Sequence, residues 1–198
     1  MPLRIPDPPE QGMRIIREAL SSAINQPSAA AFAIAEAGPE NLTTAGPHQI
    51  FFVGLSDIAE GRFLDAARAV GWRYIIFDAE QPLAAAELKI GDDEGAVEFS
   101  NINRGPFAAS TVEGVARAES LPVVRDNDFE LRVIEIPALY VVTLWLHGDQ
   151  DIIIPLPPTR PELESLALYG EEEVVGRLRK TAQERLKFDE RPLEPGTA

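Results

Sequence analysis

The densest apolar run of the chain lies between residues 131 and 156, which read LRVIEIPALYVVTLWLHGDQDIIIPL. Residues 138–146 are apolar on both alternating sets, with Leu139, Val141 and Trp145 pointing one way and Tyr140, Val142, Leu144 and Leu146 the other. A strand with one wet face alternates apolar with polar, so this pattern predicts a strand covered on both faces. Gly148 and Asp149 suit a tight turn, and Ile152, Ile153 and Ile154 supply the returning strand. Pro155, Pro157 and Pro158 end it, because proline donates nothing to a ladder. Upstream, Phe129, Leu131 and Val133 alternate with Glu130 and Arg132, which predicts a half-exposed strand. The alternation slips at Ile134, Glu135 and Ile136 before Pro137, as a bulge or sharp bend would make it do.

Nearer the start, Met13, Ile16, Leu20, Ala23 and Ile24 recur at helical spacing, and a second helix is expected over residues 29–37 with Ser28 as its cap. Gly38 and Pro39 stop it. Residues 41–47 read as a loop. A β–α–β unit is expected next: a strand over 49–55, a helix over 58–70 capped by Ser56 or Asp57 and ended by Gly71, and a strand over 72–77. Its two strands would be parallel neighbours. Residues 83–90 and 96–102 predict a hairpin around the turn at 91–95. Residues 106–119 predict a helix with Phe107, Thr111, Val115 and Ala118 on one side. A charged, mostly helical tail runs from Pro161 to about Leu186, with Leu163, Leu166, Leu178 and Leu186 available to face the domain. Residues 189–198 are expected to fray.

These elements define an α+β fold. A mixed or mostly antiparallel sheet of about five to seven strands carries packed helices and an N-terminal helical segment. The chain divides into an N-terminal helical segment (1–40), an α+β core (41–160) and a charged C-terminal helical tail (161–198).

Composition adds exclusions. Apolar residues make up 45% of the 198 and charged residues 25%, an ordinary globular mixture. The chain has no cysteine, which removes disulfides, thiolate metal sites and a cysteine nucleophile. No apolar run approaches the roughly 20 residues of a membrane span, and the first residues lack the pattern of a signal peptide, so a cytoplasmic location is expected. The net charge is −14, concentrated in the middle of the chain. So negative a surface repels phosphates and anionic lipids, which discounts nucleic acid and membrane as partners.

Three places offer chemistry. His147 with Asp149 and Asp151 has the residue types of a metal site or of a base with an orienting acid. The same residues are also what a tight turn requires, and the turn reading is preferred. Asp78 and Glu80 follow the strand ending at Phe77; with Ser56 and Asp57, if the two strands are parallel, they would form an acidic cluster suited to Mg²⁺. Caps and turn residues explain the same four. Asn103 and Arg104 lie in a polar loop that leads into a helix N-terminus, where an arginine beside free N–H groups makes an anion site. No glycine-rich phosphate loop, dinucleotide fingerprint or nucleophile elbow occurs, and His48 reads as a loop residue.

Asp78, Glu80, Asn103 and Arg104 are therefore the candidate ligand-binding residues, with no catalytic residue, metal or cofactor assigned. The sequence favours a non-catalytic structural, adaptor or accessory subunit that works through contacts with a protein partner or with further copies of itself. The alternative is a small enzyme or ligand-binding protein using the Asp78 and Glu80 turn or the Arg104 loop. In the first reading, the apolar stripe of the N-terminal helix docks on a second chain.

Overall fold

The computed structural model describes residues 3–23, 28–93 and 95–189. Helices α1 (Gly12–Ala23) and α2 (Ala29–Ala37) open the chain, and Ile24 and Pro27 of the expected helical pair lie outside the described residues. Strand β1 (Leu42–Phe52), short helix α3 (Leu55–Glu60), and strands β2 (Arg68–Asp78), β3 (Gln81–Ile90) and β4 (Val97–Asn103) follow. Next come helices α4 (Pro106–Ser120) and α5 (Pro122–Asp126), then strands β5 (Glu130–Ile136), β6 (Val141–His147) and β7 (Ile152–Pro155), and last helix α6 (Glu171–Asp189). The strands form one seven-stranded sheet in the order β4, β3, β2, β1, β5, β6, β7. Every neighbouring pair is antiparallel except β1 with β5. The fold is α+β, and among the described residues no helix is long and apolar enough to cross a membrane.

β6 is buried from Val141 to Leu146, and its alternate residues enter different cores, Val141 and Trp145 on one face and Val142, Leu144 and Leu146 on the other. Sheet and helices thus make three layers. One face is covered by α4 and α5, which meet Ile75, Ala85, Val133 and Leu144. The opposite face is shared. Ile16, Leu20 and Ile34 of α1 and α2 pack on Trp72, Tyr74, Ala86 and Leu88 at one end. Ile58, Val174, Leu178 and Ala182 of α3 and α6 pack on Ile134, Trp145 and Ile153 at the other. Arg179 Nε and Gln183 Nε2 of α6 both donate to the Ala59 carbonyl at 3.1 Å, satisfying the free C-terminal end of α3.

Several expectations need correction. The apolar stripe of α1 is spent on the protein's own sheet, where Ile16 and Leu20 are buried and so are not open to dock on a second chain. β1 begins at Leu42, where a loop is expected, because Gly46 takes a positive φ of 61° and the ladder absorbs Pro47 in a bulge between Ala45 and His48. The helix after β1 stops at Gly61, in the left-handed conformation at φ 91°, and its N-cap is Gly54, not Ser56 or Asp57. With so short a helix the chain turns back, and β2 runs antiparallel to β1, Leu42 facing Asp78 and Phe52 facing Arg68. Gly71, read as a helix stop, lies inside β2, where a Cβ would collide with the Leu88 carbonyl of β3. In the tail, residues 161–170 run as irregular chain and turns, and the helix starts only at Glu171.

Candidate functional site

A row of polar side chains crosses the middle of the sheet on the α4 face. Register alone assembles it: His48 of β1 faces Arg73 of β2, Arg73 faces Glu87 of β3, and Glu87 faces Asn101 of β4. Residues paired directly across a ladder share one face, so these four point the same way. Glu135 of β5 joins from the far side of β1, and Arg73 Nη2 donates to its Oε1. Arg73 also donates to Glu87 Oε1 from Nε at 3.0 Å and from Nη2 at 2.5 Å. Asn101 Nδ2 holds the other Glu87 oxygen at 3.1 Å.

One guanidinium thus sits between two carboxylates. The Arg73 side chain is only 5% exposed, against 17% and 23% for Glu87 and Glu135. Burial alone would lower the Arg73 pKa, but the charges of Glu135 and Glu87 override it and hold the group firmly protonated. The set carries one surplus negative charge. Beside it, His48 is 4% exposed, and burial, reinforced by the Arg73 charge, lowers its pKa to about 4. Its ring is therefore neutral at physiological pH. Two atoms of this row, Arg73 Nη1 and His48 Nδ1, are buried without a hydrogen-bond partner.

The triad floors a cleft of about 270 Å³. One wall is the start of α4. Its N-cap, Gly105, brings no side-chain cap, and Pro106 and Phe107 follow. The other wall is the turn between β5 and β6, the 3-10 stretch Pro137–Leu139 followed by Tyr140 in the left-handed conformation at φ 53°. Tyr140 is 60% exposed, and its ring packs on Phe107 with centroids 5.3 Å apart, giving the cleft an aromatic rim. The cleft exists because α4 covers Ile75 and Ala85 through Ala108 but begins too late to cover Arg73 and Glu135.

Of the residues singled out from sequence, Asn103 lines this cleft, while the neighbouring Arg104 is exposed and is not part of the lining. Asp78 and Glu80 are exposed around the turn from β2 to β3. Because β1 and β2 are antiparallel, they lie at the opposite end of the pair from Ser56 and Asp57, so the four do not gather. Asp57 works locally: it accepts the Gly54 N–H at 3.3 Å and pairs with Arg62 at 2.6 Å. The His147 segment is the turn of the β6 and β7 hairpin. Asp151 Oδ1 takes His147 Nδ1 at 2.8 Å and the Trp145 indole N–H at 2.7 Å, fastening the turn to the strand. Asp149 stays exposed, and among the described residues no group of three His, Cys, Asp or Glu side chains is placed to hold a metal.

Arg73, Glu87, Glu135 and Tyr140 escape sequence reasoning as a site. The available signal was Arg73 itself, a charge in the middle of the apolar stretch Trp72 to Phe77. Comparison with protein-family profiles, with curated proteins and with solved structures finds no match to this chain.

Proposed function

We propose that this is a non-catalytic binding protein that holds a small polar molecule in the cleft between α4 and the turn from β5 to β6. One observation carries the reading: an unbalanced ion triad floors an open cleft on a sheet face that is otherwise packed with apolar side chains. Removing charges from water costs several kcal/mol per ion, and an apolar substitute would pack as well or better, so packing gives no reason for these residues. Binding is favoured over turnover because the nearby histidine is enclosed and both carboxylates are tied to Arg73. A thermal-shift screen of small amines, carboxylates, amino acids and sugars tests this, since a ligand of the folded state raises the melting temperature. A shift that shrinks in Tyr140→Ala supports it; a screen without any shift leaves the triad a purely structural device.

A second reading keeps the protein an accessory or adaptor subunit acting through protein contacts, and the β4 end of the sheet favours it, in contrast to the β7 end. β7 is short, is followed by Pro157 and Pro158, and is covered by Tyr169, whose backbone exchanges two 2.9 Å bonds with Ile153. β4 has β3 as its only strand neighbour among the described residues, and a groove lined by Ile15, Ala19, Phe99 and Ile102 runs between it and α1. An open edge of this kind accepts an added strand from a protein partner or another copy. The charge of −14 supports a protein or small-molecule partner over nucleic acid, and the lack of cysteine supports a cytoplasmic location. A monomeric mass in solution, with nothing recovered on pull-down from the source cell, removes the adaptor reading.

A further inference from the structure

We infer that the molecule held in the cleft is a zwitterion of the α-amino acid class, its ammonium group on Glu135 and Glu87 and its carboxylate on the donor wall formed by Arg73, Asn103 and the start of α4. This rests on the ligand-binding reading above and adds the chemistry of the ligand.

The cleft is bipolar. Its negative part is the pair of carboxylates, which together exceed the Arg73 charge by one and are both partly open to the cleft. A cation there completes the alternation of charges that Arg73 begins, as a charge-assisted bond to each carboxylate. Its donor part has three contributions. Arg73 Nη1 is a buried donor without a partner, in a side chain that lines the cleft. α4 is 15 residues long and starts at the cleft without a side-chain cap; Pro106 has no N–H and the Ala108 N–H turns back to the Gly105 carbonyl at 3.4 Å, which leaves the Phe107 N–H to meet an acceptor at the positive end of the helix. The Asn103 amide lies in the same lining. An amine alone leaves the donor wall unmet. A carboxylate alone meets two glutamates. A molecule with both groups on neighbouring atoms answers both halves, and a cleft of about 270 Å³ limits it to a small one. The Phe107 and Tyr140 rings offer an apolar surface at the rim for the side chain that such a molecule carries.

The test is calorimetric titration of the full-length protein with each of the twenty common L-amino acids. The best binder is then compared with its decarboxylated amine and its deaminated acid. The zwitterion is expected to bind about tenfold or more tightly than either fragment, because each fragment leaves one half of the cleft unmet. In Glu135→Gln, an isosteric change, affinity for the zwitterion should fall about tenfold while the deaminated acid binds no worse. Tyr140→Ala, on the exposed rim, gives a second variant that leaves the triad intact and should weaken binding of apolar amino acids severalfold. An amine or acid fragment that binds as tightly as the parent overturns the zwitterion assignment while leaving the cleft a ligand site. So does a protein that binds none of the twenty but responds to another compound of the thermal-shift screen. Failure of that whole screen overturns the ligand-binding reading itself.

Discussion

Trp145 shows how one side chain ties several elements together. Its indole N–H is held by Asp151 at 2.7 Å, Arg132 stacks on its face at 4.5 Å, and Phe51 meets its edge at 5.2 Å. Truncation removes a large buried group and leaves a polar partner unmet, so Trp145→Ala should cost about 3–5 kcal/mol, read as a lower denaturation midpoint. An unchanged midpoint would contradict this placement of the core. His48 gives a pH signature. Its folded pKa, about 4, lies below the unfolded value of 6.5. Above pH 6.5 both states hold the neutral ring and its full stability is present. Between about 6.5 and 4 only the unfolded chain takes the proton, so stability falls as pH falls, by up to roughly 3 kcal/mol. His48→Gln should flatten that part of the stability profile relative to the wild type, measured by urea unfolding between pH 7 and 4. Parallel profiles would show that His48 titrates normally. At this scale the sequence conceals the site. Arg73, Glu87 and Glu135 are far apart along the chain, and Glu87 and Glu135 each look like the polar half of an ordinary strand. Only the register of β1, β2, β3 and β5 brings them onto one floor.

At the scale of elements, what is legible depends on whether local pattern and packing agree. β6 and β7 are readable because both faces of β6 are apolar and the turn residues sit between them. The hairpin of β3 and β4 and the helix α4 are readable for the same reason. The orientation of β2 is not, because the left-handed stop at Gly61 that shortens α3 looks, in sequence, like a glycine inside a longer helix. β1 is half hidden because a proline inside a bulge imitates a loop. The N-terminal stripe is visible, but amphipathicity does not say whose surface it covers. Ile16, Leu20 and Ile34 are almost wholly buried on Trp72, Tyr74 and Leu88. Each such side chain contributes about 1.5–3 kcal/mol. Deleting residues 1–40 should therefore leave a chain that unfolds or aggregates, in place of a stable remainder. A deleted protein with native circular dichroism and a cooperative melt would show that the sheet does not need these helices.

For the whole molecule, the sheet separates the candidate activities. Its α4 face carries the cleft, its other face carries the supporting helices, and its open β4 edge lies beyond them. The central claim is that binding happens at the cleft. The most direct test follows the backbone amide signals of isotope-labelled protein by nuclear magnetic resonance while the best compound of the screen is added. The account predicts shifts concentrated in the cleft lining, among them Asn103, Phe107, Tyr140 and Val141. Shifts confined to Glu18, Phe99 and Ser100, along the groove between α1 and β4, would contradict it and move recognition to the sheet edge.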